Sequence, residues 1–260
     1  MRAALAVCGR ELRSQLASPL AWTISAGFLV TAGYFFFSQV VNYAEAMAQY
    51  EMYAQVSQDP NMLERFNLNL LVEGLFSNVL VLLLFVVPIL SMGSIAEERR
   101  RGTDELLLTA PLGPGGVVAG KFLGLLLVLW GMLAGTGLFL FLLTLHGNPE
   151  RGPIWTGMLG LGLVSAGLLA VGLAVSAATA SQAVAGIGTF VLSLLLFTLA
   201  WPAEAVGGPL GTVLGELALP AHFDDFTKGL VTGADVAYFL SLSALGLFVA
   251  RALLASQRWR

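Results

Sequence analysis

Long stretches without any charged side chain constrain this chain more than any other feature of its sequence. No Asp, Glu, Lys or Arg occurs in residues 14–44, 74–96, 122–149 or 152–203, and a shorter stretch of the same kind covers 236–250. A helix needs about 20 apolar residues to cross a hydrocarbon core of about 30 Å. The longest stretch is long enough for two crossings. The sequence therefore predicts an integral membrane protein built from helices.

These stretches predict an all-α membrane domain over residues 1–260. The six predicted transmembrane helices cover about residues 20–41, 75–95, 119–144, 154–177, 183–201 and 236–255. Only 11% of the residues are charged, against about 25% in an average soluble domain, so a large soluble core is excluded. A membrane β-barrel would show strands of about ten alternating residues, whereas the apolar runs here are continuous.

The distribution of charge predicts the side of the membrane that each loop faces. With both termini in the cytoplasm, ten Lys and Arg residues lie inside and three outside, whereas 11 of the 16 acidic residues lie outside. Cytoplasmic loops of membrane proteins carry an excess of Lys and Arg. We therefore expect cytoplasmic N- and C-termini, with residues 42–73 and 202–234 as the two longer outer segments.

The first 18 residues predict an amphipathic helix that lies in the headgroup plane, ahead of the first span. At helical spacing, its apolar side is formed by Leu5, Cys8, Leu12 and Leu16. Its basic side is formed by Arg2, Arg10 and Arg13. Because Cys8 is the only cysteine, a disulfide framework and a cysteine metal site are excluded.

The two outer segments differ in composition. Residues 42–73 repeat apolar side chains at helical spacing on both sides of Asp59-Pro60. They predict either a small helical hairpin or a plain extension of the first two spans into water. Residues 202–234 are rich in Gly and Pro and predict short helical pieces. A candidate contact site for cargo or partner lies there, formed by His222, Phe223, Asp224, Asp225 and Phe226. His222 is interpreted as a solvated loop histidine, in preference to a weak metal site.

Motifs for chemistry are missing, and we expect no catalytic residue, bound metal or bound cofactor. Residues 115–122 nearly match a phosphate-binding loop, but Phe122 replaces the hydroxyl that binds Mg²⁺ and no strand precedes the motif. Lys121 is therefore interpreted as an anchor at the inner interface. Ion-driven carriers usually place ionisable residues within their spans. The charge-free stretches that make up most of each span thus favour an energy source outside the chain, most simply a separate ATPase.

The charged segment between the second and third predicted spans is the most informative motif. From Glu97 it reads Glu-Glu-Arg-Arg-Arg-Gly-Thr-x-Glu-Leu-Leu-Leu-x-x-Pro. Thr103 is the predicted N-cap of a two-turn helix whose short apolar face contains Leu106 and Leu107 and which ends at Pro111. The charges alone favour an ordinary inner loop that obeys the topology rules.

The order of residues in this segment closely resembles the inner segment of ABC-2-type permeases. The amphipathic start, the six spans and the basic C-terminal end extend the resemblance over essentially the whole chain, and the gliding-motility and nitrous-oxide-reductase-maturation types are the most similar subgroups. The resemblance implies a non-catalytic permease subunit in the bacterial cytoplasmic membrane. It also implies a second permease copy or paralogue and two cytoplasmic ATPase subunits that bind ATP and magnesium.

The resemblance further implies roles for individual residues. The ATPase-coupling segment would contain Glu97, Glu98, Arg99, Arg100, Arg101, Gly102, Thr103, Glu105, Leu106, Leu107 and Pro111. The arginines would meet the ATPase or anionic lipid, Glu98 and Glu105 would make polar contacts, and the leucines would fill a groove. Energy would reach either an exported cargo or an extracytoplasmic partner protein; nucleic acid is not expected as a partner. Two alternatives stay open, an ATPase-independent carrier or channel and a non-transporting anchor for an outer machine.

Overall fold

The computed structural model describes residues 2–57, 68–102 and 113–257, and every regular element in these ranges is a helix. We number the helices in chain order. They are α1 (Arg2–Ala17), α2 (Pro19–Ser57), α3 (Asn69–Ser91), α4 (Ala96–Arg100), α5 (Pro114–His146), α6 (Arg151–Ala178), α7 (Gln182–Thr198), α8 (Ala200–Val206), α9 (Gly208–Leu217), α10 (Leu219–Thr227) and α11 (Gly233–Gln257).

Six stretches of the described residues are helical, long and apolar enough to cross a membrane. They correspond to α2, α3 with α4, α5, α6, α7 and α11, and each coincides with one predicted span. The prediction of an all-α fold with six membrane helices is therefore confirmed. The second span ends at Ser91 rather than at residue 95, because a turn at residues 92–95 precedes α4. The side of the membrane that each end faces stays a prediction.

Helix α2 is much longer than a membrane crossing requires. It has 39 residues, which at 1.5 Å per residue gives about 58 Å, roughly twice the thickness of the hydrocarbon core. Residues 42–57 simply continue the first span, and α3 begins at Asn69 ahead of the predicted second span. The described residues therefore fit the extension of the spans rather than a separate hairpin. The predicted turn at Asp59-Pro60 lies outside the described residues.

Helices α3 and α6 form the centre of the bundle. Helix α6 packs against α3, α5, α7, α10 and α11, and the core is a cluster of aliphatic and aromatic side chains drawn mainly from α3, α5 and α6. The closest neighbour of α6 is α11. At this contact Gly246 lies against the backbone of Ala170, and an added Cβ on Gly246 would be 2.6 Å from the Ala170 carbonyl carbon. Close approach through small residues is typical of helices in lipid.

Helix α1 lies along α5 and buries one of its sides there. Gly120 and Gly124 face α1, and a Cβ at Gly120 would be 2.7 Å from the carbonyl oxygen of Ala4. The α1 side chains buried at this contact are Val7, Cys8 and Glu11. Of the predicted apolar side, Cys8 therefore faces α5, whereas the contact of this side with the membrane stays a prediction. Its members Leu5 and Leu16 are 62% and 52% exposed and remain free to meet lipid.

The predicted short helical pieces of the second outer segment are α8, α9 and α10. Helix α9 begins after Gly207, whose φ of 61° lies in the left-handed region that favours glycine. Helix α10 packs against α6, where Gly160 leaves room for the rings of Phe223 and Phe226. The segment therefore forms a folded cap on the bundle rather than a solvated loop.

Candidate coupling site

The short helix α4 is fixed to the end of α6 by one serine. Ser176 is completely buried, and its hydroxyl oxygen accepts hydrogen bonds from the backbone N–H groups of Ile95 (3.2 Å) and Ala96 (3.1 Å). The same hydroxyl donates to the carbonyl of Met92 at 3.1 Å. The first N–H groups of a helix have no partner within the helix, and Ile95 offers no side-chain cap. Ser176 therefore supplies from α6 the cap that α4 lacks.

A buried lysine joins α4 to α1 and α5. Lys121 is 1% exposed, and its Nζ lies 2.9 Å from Oε1 of Glu98 and 3.3 Å from Oε2 of Glu11. It also donates a hydrogen bond to the carbonyl of Ser94 at 2.6 Å. An ammonium group has three donors, and three acceptors surround this one. A buried charge is tolerated when it is paired and hydrogen-bonded in this way.

A second basic residue completes this cluster. Arg10 of α1 lies 3.1 Å from the same Glu98 oxygen and is about half exposed. Two carboxylates, Glu11 and Glu98, are thus matched by two cations, Arg10 and Lys121. We call these four residues the buried ion cluster. Because its members belong to α1, α4 and α5, the cluster fixes these three helices to one another.

Glu97 and Arg99 connect α4 to the next pair of helices. Gln182 of α7 donates to Oε2 of Glu97 at 2.7 Å, and the other carboxylate oxygen is paired with Arg101. Arg99 donates to the carbonyl of Ala177 in α6 at 2.7 Å. Neighbouring Gly93 makes room, since a Cβ there would be 2.9 Å from Nε2 of Gln182. Helix α4 is therefore tied to α6 and α7 as well.

The solvent-exposed side chains in the described part of the predicted coupling segment are basic. The side chains of Arg100 and Arg101 are 60% and 67% exposed, and Gly102 follows with a φ of 66°. The remaining predicted coupling residues, Thr103, Glu105, Leu106, Leu107 and Pro111, lie outside the described residues, and their roles stay predictions.

One sequence-based interpretation at this end was wrong, because Lys121 was interpreted as an interface anchor but lies in the buried ion cluster. Glu98 pairs with Lys121 and Arg10 within the chain, and its contact with an ATPase stays a prediction. Glu11 was not singled out at all. A usable signal existed, because Glu11 shares one helical face with Val7 and Cys8 at spacings of three and four. An acid on such a face needs a buried cation.

A cavity of about 370 Å³ lies beside the buried ion cluster. Its polar wall includes Ser94, Glu97 and Gln182, and its apolar wall consists of side chains from α2 and α3. The hydroxyl oxygen of Ser94 is buried without a hydrogen-bond partner. The cavity therefore lies between the charged residues of α4 and the apolar side chains of α2 and α3.

At the opposite end of the bundle, the predicted outer contact site is largely internal. His222 is 8% exposed and the Phe223 and Phe226 rings are buried, so the interpretation of His222 as a solvated histidine was wrong. The accessible member is Asp224, which accepts a hydrogen bond from Lys228 and so raises the pKa of that ammonium above its ordinary value. In the part of the chain that the structure describes, no group of three or more His, Cys, Asp or Glu side chains could hold a metal ion.

Helix α6 connects the two ends. Thr156 near its start donates to the carbonyl of Phe226 in α10 at 2.7 Å, and Ser176 near its end holds α4. The 20 residues between them correspond to about 30 Å along a helix, which is the thickness of a hydrocarbon core. The charged site and the α8–α10 cap therefore lie at opposite ends of a membrane-sized bundle.

A comparison with known protein families identifies the family of this chain. The family model described as "ABC-2 family transporter protein" matches residues 5–222. The chain belongs to this family. This ABC-2 family member is thus a multi-pass membrane protein and the permease component of an ABC transporter, a kind of subunit that is generally non-catalytic. The matched range runs from α1 to His222 and includes the whole coupling site. Among curated proteins, no relative matches the chain.

Proposed function

We propose that α4 and the residues that follow it receive the motion of a separate cytoplasmic ATPase and pass it to the membrane helices. Permeases of this family typically work with ATPase subunits. The observation that carries the proposal is the set of bonds from this five-residue helix to α1, α5, α6 and α7. A loop that served topology alone would need no such bonds.

Motion would leave α4 along two routes. One route runs through Glu98 to Lys121 on α5 and to Arg10 on α1. The other runs through the serine cap on α6 and through Gln182 on α7. Hydrogen bonds to charged groups contribute about 1.5–3 kcal/mol each, so the contacts of α4 resist slipping. A displacement of α4 therefore moves the ends of four longer helices.

The docking surface would be formed by Arg100 and Arg101 together with the predicted helix that contains Leu106 and Leu107. In this arrangement both termini and α4 face the cytoplasm of a bacterium. ATP and Mg²⁺ bind to the ATPase subunits, and a second permease copy or paralogue completes the transporter. The energy either exports a cargo or drives an extracytoplasmic partner of the gliding-motility type.

Two classes of variant separate docking from transmission. The chain is purified from its native membrane, its nucleotide-hydrolysing partner is identified by mass spectrometry, and the complex is reconstituted. Reversal of the outward contacts by Arg100→Glu with Leu106→Asp is expected to lower ATPase affinity at least tenfold. Glu98→Gln is expected to keep the affinity but to remove the stimulation of ATPase activity by the permease. Arg151→Glu, at the other end of α6, serves as the control and should change neither.

The rival function is an ATPase-independent carrier or channel. The charge-free stretches of the spans argue against it, because ion-driven carriers need ionisable groups in that region. Transport by the chain alone in liposomes, without any nucleotide-hydrolysing partner, would establish the rival. Unchanged affinity and unchanged stimulated ATPase activity in the Arg100→Glu, Leu106→Asp variant would also overturn our proposal.

A further inference from the structure

Both ring nitrogens of His222 face hydrogen-bond acceptors. Nδ1 lies 2.7 Å from Oδ1 of Asp235 at the start of α11, and Nε2 lies 2.9 Å from the backbone carbonyl oxygen of Glu216 near the end of α9. A neutral imidazole has one N–H donor and one lone pair, whereas an imidazolium has two donors. With an ionised Asp235, only the imidazolium satisfies both contacts.

We propose that His222 and Asp235 hold an extra proton as an imidazolium–carboxylate pair, and that this proton holds α9 and α11 together. We call the contacts of His222 with Asp235 and with the Glu216 carbonyl the clip. Removal of one proton leaves one of the two contacts as a lone pair facing an acceptor. Such a contact is repulsive, so the deprotonated clip opens at one side.

The helix termini around the pair favour its ionised form. His222 meets the last turn of α9, where unpaired carbonyl groups carry partial negative charge, and Asp235 lies in the first turn of α11. A cation at a helix C-terminus and an anion at a helix N-terminus are both stabilised by the helix dipoles. Thr232 orients the carboxylate, since its hydroxyl donates to Oδ2 of Asp235 and accepts from the Asp235 backbone N–H.

Neighbouring contacts make the clip a structural unit. The His222 ring stacks on Tyr238 with their centroids 4.1 Å apart, and the Tyr238 hydroxyl donates to the carbonyl of Leu217 at 2.8 Å. Two successive carbonyls of α9 are thus bonded to the α10–α11 region. His222 and Asp235 are 8% and 5% exposed. A cavity of about 500 Å³ beside them is lined in part by Glu216 and Asp225, which gives the proton a route to water.

Other charged groups near α10 are engaged elsewhere or lie on neighbouring helices. On α10 itself, Asp225 is half-buried beside the cavity, and Asp224 is paired with Lys228. Besides Asp235, the elements packed against α10 contribute six further ionisable residues. These are Glu73 on α3, Arg151 on α6, Glu204 on α8, Glu216 on α9, and Tyr238 and Arg251 on α11. The Glu204 side chain lies outside the described ones. Asp235 is therefore the ionisable group that the geometry assigns to His222.

Nitrogen NMR of the full chain tests the protonation state directly. The sequence contains two histidines, so His146→Asn leaves a single ring to observe in ¹⁵N-histidine-labelled protein in nanodiscs. At pH 7.5 we expect both His222 nitrogens to give protonated-type shifts, whereas an exposed imidazole with an ordinary pKa of about 6.5 is about 90% neutral. One protonated and one lone-pair nitrogen, with the α9 contacts intact, would overturn the proposal.

Hydrogen exchange tests the consequence for the fold. The amides of α9 and α10 are followed as a function of pH, after correction for the intrinsic exchange rates. In the wild type, protection is expected to fall at least tenfold as the His222 ring loses its proton in the NMR titration. Asp235→Asn removes the carboxylate and should remove this pH step, while Asp224→Asn on the same helix should retain it. A pH step that persists in Asp235→Asn, or no step in the wild type, would contradict the clip.

Discussion

Removal of the buried ammonium of Lys121 is the sharpest test of the structure. Lys121→Met keeps an unbranched side chain of similar length, so the packing between α1 and α5 is largely preserved. Glu98 retains Arg10 as a partner at 3.1 Å, but Glu11 loses its only cation in the buried ion cluster. The Glu11 side chain is 10% exposed. The variant therefore leaves one buried carboxylate without a counter-charge.

The expected cost follows from this unpaired charge. Removal of one partner from a buried ion pair typically costs about 3–5 kcal/mol, whereas replacing the whole pair with neutral groups is often tolerated. Lys121→Met should therefore lower the free energy of unfolding by about 3–5 kcal/mol. Adding Glu11→Gln to the same chain removes the uncompensated charge and should restore about 2 kcal/mol or more. The two substitutions are in direct contact, so this non-additivity is the specific signature.

Unfolding in mixed micelles with increasing dodecyl sulfate, followed by far-UV circular dichroism and tryptophan fluorescence, measures these differences. The chain offers a matched control in Lys228→Met, because Lys228 is the only other lysine and is paired at the surface of α10. Its unfolding midpoint should lie close to that of the wild type, because an exposed ion pair contributes little to stability. A loss below about 1 kcal/mol for Lys121→Met, or a double variant no more stable than the single one, would refute the pairing described here.

Three further predictions concern packing, capping and titration. Gly120→Ala should destabilise the chain by about 1–3 kcal/mol in the same assay, since its Cβ meets the α1 backbone, whereas Gly116→Ala, with open space around it, should not. Ser176→Ala leaves two buried N–H groups without a partner and should cost about 2–4 kcal/mol, with faster hydrogen exchange in α4. The pKa of Lys228 is raised above 10.5 by Asp224. The contribution of this pair to stability is therefore present below pH 10.5 and is lost as the pH rises through the higher folded pKa. Acylation of Lys228 at pH 10 should accelerate in Asp224→Asn.

The membrane helices could be predicted from sequence because charge is excluded from lipid over a fixed length. This rule depends on composition alone and placed all six spans. It could not give the length of α2, since nothing in the hydropathy marks where a helix ends once it has left the membrane. Nor could it separate α4 from the second span, because the intervening turn at residues 92–95 has no strong turn sequence.

The polar contacts at both ends were hard to predict because they join residues far apart in the chain. Glu11 and Lys121 are 110 positions apart, and each looks like an ordinary surface charge in its own sequence context. His222 was grouped with Asp224 and Asp225 by proximity along the chain, yet its partner is Asp235, 13 residues away. Helix periodicity would have helped in both cases, since each residue lies on a face that also carries buried apolar side chains.

The central position of α6 has a thermodynamic consequence. This one rod is bonded through Ser176 to the charged end of the bundle and through Thr156 to the cap at the other end. If binding or unfolding at either end changes the position of α6, the free energies of these changes at the two ends are linked, and such linkage is reciprocal. A partner bound at the charged end would then alter the stability of the α8–α10 cap, and any change in that stability would alter the affinity for the partner by the same factor.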